Sequence, residues 1–112
     1  MTIACATHFT PSSDEAVLVA AALARQSGEP LRLATVLTAP DQYAAARLRQ
    51  TRAATRSLQL EADRMRLRGL KVESELLIGP LDTSLGDFCR ATSARLLVVG
   101  DSRLRAARIT PP

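Results

Sequence analysis

The chain has 112 residues and a formal net charge of +4, and 46% of its residues are hydrophobic. This length suits a single domain, residues 1–112, with one core, and the composition is that of a globular chain rather than a disordered one. No stretch reaches the roughly 20 apolar residues of a membrane helix, and the N-terminus lacks the basic region of a secretory signal. We therefore expect a cytoplasmic protein with no membrane partner.

The positive charge is uneven along the chain. Residues 1–46 carry two arginines against four acidic residues, whereas residues 47–112 carry thirteen basic residues against seven acidic ones. Such a skew raises the possibility of nucleic-acid binding. However, the acidic residues are interleaved with the arginines, and one Tyr and two Phe provide no stacking platform for single strands. A solvated helix face explains the pattern better, so no nucleic-acid partner is expected.

The two cysteines, Cys5 and Cys89, are predicted to be reduced core thiols. They do not form a CxxC pair, and His8 is the one other soft ligand in the chain. A zinc site would need four such ligands, so no metal is expected.

The first half of the chain predicts two strands joined by a helix. Thr2–Thr7 is a short apolar run typical of a first strand. Ser12 and Glu15 have the spacing of a capping box that would open a helix, and Gly28 would end it. Leu31–Leu37 is the second predicted strand.

A long helix is expected from about Asp41 to Arg68, with Gly69 as its end. Its inward row is spaced alternately by four and three residues, as in a helix that packs along one face. The row consists of Ala44, Leu48, Thr51, Thr55, Leu58, Ala62 and Met65. Small residues dominate it, which favours close packing on a sheet. A coiled coil is the rival interpretation, but Ala and Thr are poor seam residues.

The last part of the chain predicts two more strands. One face of the third strand, in KVESELLIG, consists of Val72, Ser74, Leu76 and Ile78. Asp82 is a candidate cap for the helix that follows. The segment RLLVVG is apolar on both faces, as a central parallel strand should be. After it, residues 102–108 could form about two turns of helix.

The resulting order, β-α-β-α-β-α-β without a hairpin signal, predicts an α/β fold. Helix-length crossovers give a doubly wound parallel sheet with helices on both faces and strand order 3-2-1-4. In such sheets ligands bind where the strand order reverses, here between strands one and four. His8 and Gly100 should then face each other across one crevice.

Three common nucleotide-related classes lack their motifs in this sequence. No GxGxxG follows the first strand, and no GxxxxGK[ST] is present. The ends of the first and third strands read ATHF and LLIGP, without the carboxylates of a response-regulator receiver.

Several segments occur together in one known family. They are IACATHFTPSSDEAVLVAAALARQSGEPLRLATVL, a long second helix, GLKV and ARLLVVG. In their order and spacing the chain resembles the universal stress protein family over nearly its whole length. The resemblance implies a small stress-response domain, and it implies a fifth strand that would here be missing or rudimentary.

The resemblance also implies a nucleotide loop after the fourth strand, with the pattern G-x2-G-x9-G-[ST]. Glycines are needed where the backbone approaches the phosphates. Gly100 matches the first glycine, Arg103 stands at the second, and the third would fall beyond Pro112. Asp101 adds a carboxylate that would repel a phosphate. The loop is therefore expected to be degenerate.

The remaining candidate binding residues lie on the other strands. The family's adenine-side Asp corresponds to His8, beside Thr7; a neutral His accepts a hydrogen bond but is bulkier and becomes charged below about pH 6.5. Val36 and Val99 keep the apolar character expected beside an adenine ring. We therefore expect no certain cofactor, with ATP or AMP as weak ligands.

Two functions follow from these observations. The first is a non-enzymatic regulatory domain that acts through protein contacts. The alternative is an adenine-nucleotide binder in which Arg103, Arg105 and Arg108 replace the glycine loop. Catalysis by Cys5 or His8 is disfavoured because no partner for either is fixed by the sequence.

A homodimer, or a larger assembly, is the expected oligomeric state. If no strand followed the fourth, Leu96–Val99 would lie at an open sheet edge, and such edges recruit other chains. Two alternatives are that the tail folds over this edge or that a longer chain supplies a fifth strand.

Overall fold

The computed structural model describes residues 1–8, 11–100 and 105–108, with the backbone alone at 11–13 and 105–108. In chain order the elements are β1 (Thr2–Ala6), α1 (Pro11–Ser27), β2 (Leu31–Leu37), α2 (Ala44–Leu67), β3 (Val72–Ile78), α3 (Leu81–Ala91), β4 (Ala94–Val99) and β5 (Arg105–Arg108).

The strands form one sheet in the order β3-β2-β1-β4-β5. The first four strands are parallel, which confirms the predicted 3-2-1-4 order. Each long crossover carries one helix, because parallel neighbours cannot be joined by a tight turn.

The helices cover the two faces of the sheet. On one face, α1 and α2 pack on the large apolar side chains of β1 and β2, with Ile3, Leu31 and Leu33 fully buried. On the other face, α3 places Phe88 and Cys89 against the small residues of the same strands. The sheet is thus the middle layer of three, as expected for a doubly wound fold.

The segment after β4 differs from the prediction. Residues 105–108 are not helical but form β5, which pairs antiparallel with β4 over Val99↔Arg105 to Leu96↔Arg108. The unpaired backbone groups of β4 provide the reason, because an apolar strand gains a full set of ladder bonds from this partner. The fifth strand is rudimentary, at four residues. The fourth-strand edge is therefore closed, and the premise for a dimer at that edge was wrong.

Both predicted helix caps were also wrong. Helix α1 begins at Pro11, so Ser12 is already helical rather than its cap. Proline suits a first helical position because its fixed φ is helical and its missing N–H has no helical partner to lose. Helix α3 begins at Leu81 after Pro80, and Asp82 lies in its first turn without a side-chain cap bond. The predicted ends at Gly28 and Gly69 are confirmed, since both have positive φ, at 72° and 85°.

The row of α2 residues that was predicted to face the sheet is buried only in its second half. Leu58, Ala62 and Met65 are buried against the sheet, but Leu48 is 50% exposed. A helix of 24 residues is about 36 Å long, whereas the seven residues of β2 span about 23 Å. The first half of α2 therefore extends beyond the carboxyl end of the sheet.

Candidate functional site

The ends of β1 and β4 bring two of the predicted residues to one edge of the sheet. Ala6 of β1 pairs with Val99 of β4, and Thr7 and Gly100 are the residues that follow. Thr7 is 1% exposed, and its backbone N–H donates a 2.9 Å hydrogen bond to the Ala34 carbonyl. Gly100 is buried as well. This is the carboxyl edge at the reversal of strand order, where ligands bind in such folds.

The predicted apolar residues share one small cluster below this edge. Val36, Ala6 and Leu85 are buried together, and the half-buried Val99 packs against them. The cluster lies on the α3 face of the sheet, so Val36 and Val99 belong to one packed apolar group directly below the carboxyl edge.

His8 lies beside a surface depression of about 270 Å³. The depression is lined by His8, Thr35, Val36, Leu37, Ala53, Ala54, Ser57 and Leu76. It extends over β2 toward α2, and neither Gly100 nor Val99 lines it. The structure thus places His8 and Gly100 at the same edge of the sheet but gives His8 its main open space on the α2 side.

The α2 wall of this depression was missed by sequence reasoning. Ala53, Ala54 and Ser57 form it, and their short side chains leave the space that the depression fills. The signal was present in the sequence, since three small residues fall on one flank of a helix otherwise rich in arginine.

The lining is suited to a flat apolar group with a few hydrogen bonds. Thr35 and Ser57 contribute hydroxyls beside aliphatic side chains, and among the described residues of the lining only His8 has a titratable side chain. A base or ribose fits this chemistry. Phosphates would need cations or backbone N–H groups from elsewhere, and Asp101 and Arg103 lie outside the described residues.

Neither thiol is suited to nucleophilic chemistry. Cys5 is fully buried, which confirms its predicted place in the core, and burial raises its pKa to about 12. Burial also raises the pKa of Cys89. Because the thiolate is the nucleophile, both side chains are inert protonated thiols near neutral pH.

Within residues 1–8, 11–100 and 105–108, no cluster of three or more potential ligands could hold a metal ion. No helix in the same part of the chain is long and apolar enough to cross a membrane.

The strand order, the helices on both faces and the reversal of strand order between β1 and β4 define a doubly wound α/β domain. Residues 1–109 match the model of the universal stress protein family. The chain belongs to that family. No curated protein matches the sequence significantly.

Solved structures agree with this assignment. A universal stress protein family member from Burkholderia pseudomallei has a TM-score of 0.76 at 22% identity, covering 89% of this chain and 81% of its own. The universal stress protein from Archaeoglobus fulgidus in complex with dAMP has a TM-score of 0.69 at 21% identity, with coverages of 88% and 79%. A universal stress protein in complex with cAMP has a TM-score of 0.67 at 22% identity, with coverages of 87% and 73%. At these identities the likeness establishes the fold.

Proposed function

We propose that this domain is a non-enzymatic regulatory member of the universal stress protein family, with a degenerate nucleotide loop and weak affinity for adenine nucleotides. One observation carries the proposal. The carboxyl edge of β1 and β4 keeps Gly100 beside Thr7, while the described residues that line the open space beside His8 include no lysine or arginine. Such an edge can hold a base and ribose, but it offers few positive groups to balance the charge of the phosphates.

Two relatives with the same fold support an adenine nucleotide as the ligand class, because their structures contain dAMP and cAMP. In this chain Thr7, His8, Val36, Val99 and Gly100 would form the binding edge. The regulatory output would then come from protein contacts in the cytoplasm. A homodimer remains part of the proposal, although its contact is not the β4 edge, since β5 occupies that edge.

Calorimetric titration with AMP, ADP and ATP tests the proposal. We expect dissociation constants of about 0.1 mM or weaker, which correspond to no more than about 5.5 kcal/mol of binding free energy. The three nucleotides should differ little, because additional phosphates gain few contacts.

The alternative function makes the opposite forecast. If side-chain guanidinium groups replace the glycine loop, ATP should saturate in the low micromolar range, and Arg103→Ala should abolish that binding. That result would overturn the regulatory proposal. An Arg25→Ala variant is the matched control, because Arg25 lines a depression at the amino edge of the sheet.

A further inference from the structure

The first half of α2 is an ordered helix that buries none of its residues. We call residues 44–57 the arginine arm. The first buried residue of α2 is Leu58, and Leu48 is 50% exposed within the arm. Tyr43, which precedes the arm, is 69% exposed. Apolar side chains this exposed, on a half-helix that buries no residue fully, suggest a surface that a partner covers.

The charge of the arm is unusual for the start of a helix. It carries Arg47, Arg49, Arg52 and Arg56 and no acidic residue, and none of the four forms an ion pair with a described residue. Cations near a helix N-terminus oppose the macrodipole. The N-cap, Tyr43, supplies no side-chain hydrogen bond either. Arg47 lies in the first turn of α2, where a cation opposes the macrodipole, and Arg49, Arg52 and Arg56 repel one another at i,i+3 and i,i+4 spacing. The arm therefore carries an unbalanced positive charge that an acidic surface would neutralise.

Local hydrogen bonds hold the arm in shape despite this. The Asp41 backbone N–H donates to Gln50 Oε1 at 2.9 Å, and the Tyr43 backbone N–H donates to Asp41 Oδ1 at 2.9 Å. Arg47 Nη1 donates to the Asp41 carbonyl at 3.4 Å. The loop before α2 therefore folds back on the arm and holds it in place. Arg49, Arg52 and Arg56 then lie at fixed positions on the arm.

A groove of opposite character lies on the α3 face, beside the last residues of β3. It encloses about 270 Å³ and is lined by Glu75, Leu77, Ile78, Ser84, Asp87, Phe88 and Ala91. We call it the acidic groove. Ile78 is 56% exposed, and Glu75 forms no ion pair with a described residue. The groove thus combines an exposed apolar wall with an uncompensated carboxylate.

We propose that the arginine arm of one copy docks into the acidic groove of a second copy. Arginines of the arm would meet Glu75, since guanidinium groups pair well with carboxylates, whereas Asp87 is already paired with Arg90. Tyr43 and Leu48 would cover Ile78. Both surfaces flank the carboxyl ends of β2 and β3, on opposite faces of the sheet, so two copies can exchange the contact reciprocally or extend it into a chain. The arm shares Ala53, Ala54 and Ser57 with the depression beside His8. The contact would supply the homodimer of the proposed function, but it does not require a bound nucleotide.

Sedimentation velocity at two ionic strengths is the first test. At about 0.1 M salt, where the Debye length is about 10 Å, the wild-type chain should associate. At about 1 M salt, where that length is about 3 Å, it should dissociate. A chain that is monomeric at about 0.1 M salt would overturn the proposal, and the arm's partner would then be a different acidic protein. Association of equal strength at both salt concentrations would overturn it as well.

Charge reversal is the second test. An arm variant carries Arg49→Glu, Arg52→Glu and Arg56→Glu, and a groove variant carries Glu75→Arg. Each alone should weaken association at least about tenfold, because like charges then face each other. The control for the arm variant is Arg25→Glu, Arg68→Glu and Lys71→Glu, which makes the same change in net charge as the arm variant at residues that belong to neither surface. It should associate as the wild type does.

Mixing the two defective variants distinguishes docking from misfolding. The reversed arm faces the reversed groove, and the native arm faces the native groove, so an equimolar mixture should recover association. The arm variant should also remain folded, since none of the three arginines forms an ion pair with a described residue and glutamate is about as good a helix former as arginine. Circular dichroism checks this. If the arm and groove variants are both folded but stay monomeric when mixed, the contact is refuted. It is also refuted if the control variant loses as much association as the arm variant does.

Discussion

At the scale of single residues, burial decides the chemistry of the first strand. Cys5 is fully buried among the aliphatic side chains of β1, β2 and α1, and its pKa of about 12 follows mainly from that burial. Its Sγ–H donates one long, weak hydrogen bond to the Ala6 carbonyl oxygen, at 3.9 Å. The residue therefore acts as a small apolar core group.

Replacing Cys5 by serine should destabilise the fold by about 1–3 kcal/mol, because a hydroxyl without an assured partner is buried. Urea unfolding measures the loss. Cys5→Ala is the control, since it removes the sulfur without adding a polar group, and it should be less harmful than Cys5→Ser. An unchanged midpoint in the serine variant would mean that the side chain is accessible, and would reopen a catalytic role.

A second residue-scale feature ties the α1–β2 loop to β4. Arg95 donates from Nε at 2.9 Å and from Nη2 at 2.6 Å to Glu29 Oε1. Hydrogen bonding to Arg95 is the main reason that the pKa of Glu29 lies below its usual value. A carboxylate with a lowered folded-state pKa stabilises the fold above its unfolded pKa of about 4.3 and loses that contribution as the pH falls through the folded value.

The variant Arg95→Gln should therefore reduce stability at pH 7 and should flatten the fall in stability between about pH 5 and pH 3. Urea unfolding across that range measures both effects. Arg90→Gln is the matched control, because Arg90 pairs with Asp87 on the exposed surface of α3, where ion pairs contribute little. Equal pH profiles for wild type and Arg95→Gln would contradict this role for the pair.

At the scale of elements, the two halves of α2 have different surroundings. Its second half packs on β2 and β3 through Leu58, Ala62 and Met65, and its first half is held by the loop around Asp41. Packing of the second half therefore carries the stability of the whole helix.

The variant Leu58→Ala should cost about 2–4 kcal/mol, since it leaves a cavity under the helix. Leu48→Ala makes the same chemical change in the arm and should cost less than about 0.5 kcal/mol. Thermal or urea unfolding of the two variants compares them directly. If both variants lost the same free energy of unfolding, Leu48 would have to be packed as tightly as Leu58, which would contradict the exposed arm.

The elements also show what the sequence could and could not predict. Alternation and helical periodicity located β1 to β4 and the three helices, because those patterns report burial on one sheet. The same periodicity runs through the first turns of α2, which extend beyond the end of the sheet, so Ala44 and Leu48 were placed inward wrongly. Local pattern carries no information on where a neighbouring strand ends.

The tail was misjudged for a related reason. RAAR has good helix formers, and a helix is what the segment favours by itself. Pairing with β4 outweighs that preference, since the strand edge of Leu96–Val99 offers a complete ladder. Within the site, Thr7 and Gly100 could be predicted as neighbours because each directly follows one of two paired parallel strands. The wall formed by Ala53, Ala54 and Ser57 could not be predicted, because it depends on how α2 lies over β2.

At the scale of the whole molecule, the two ends of the sheet differ in character. The carboxyl edge combines the apolar cluster around Val36 with Thr7, His8 and Gly100, and the arginine arm extends beyond it. The amino edge has open grooves lined by Arg32, Arg66 and Lys71. A phosphate attracted by charge alone would favour the amino edge or the arm, whereas an adenine nucleotide recognised by its base would favour the carboxyl edge.

A titration of the ¹⁵N-labelled chain with AMP, followed by amide NMR, tests this account most directly. We predict small, saturable shifts at Thr7, His8, Val36 and Gly100, in fast exchange and with a dissociation constant of about 0.1 mM or weaker. Inorganic phosphate should not reproduce them, because the base and ribose supply the recognition. Shifts confined to Arg32, Arg66 and Lys71, or low-micromolar saturation at the carboxyl edge, would contradict the account.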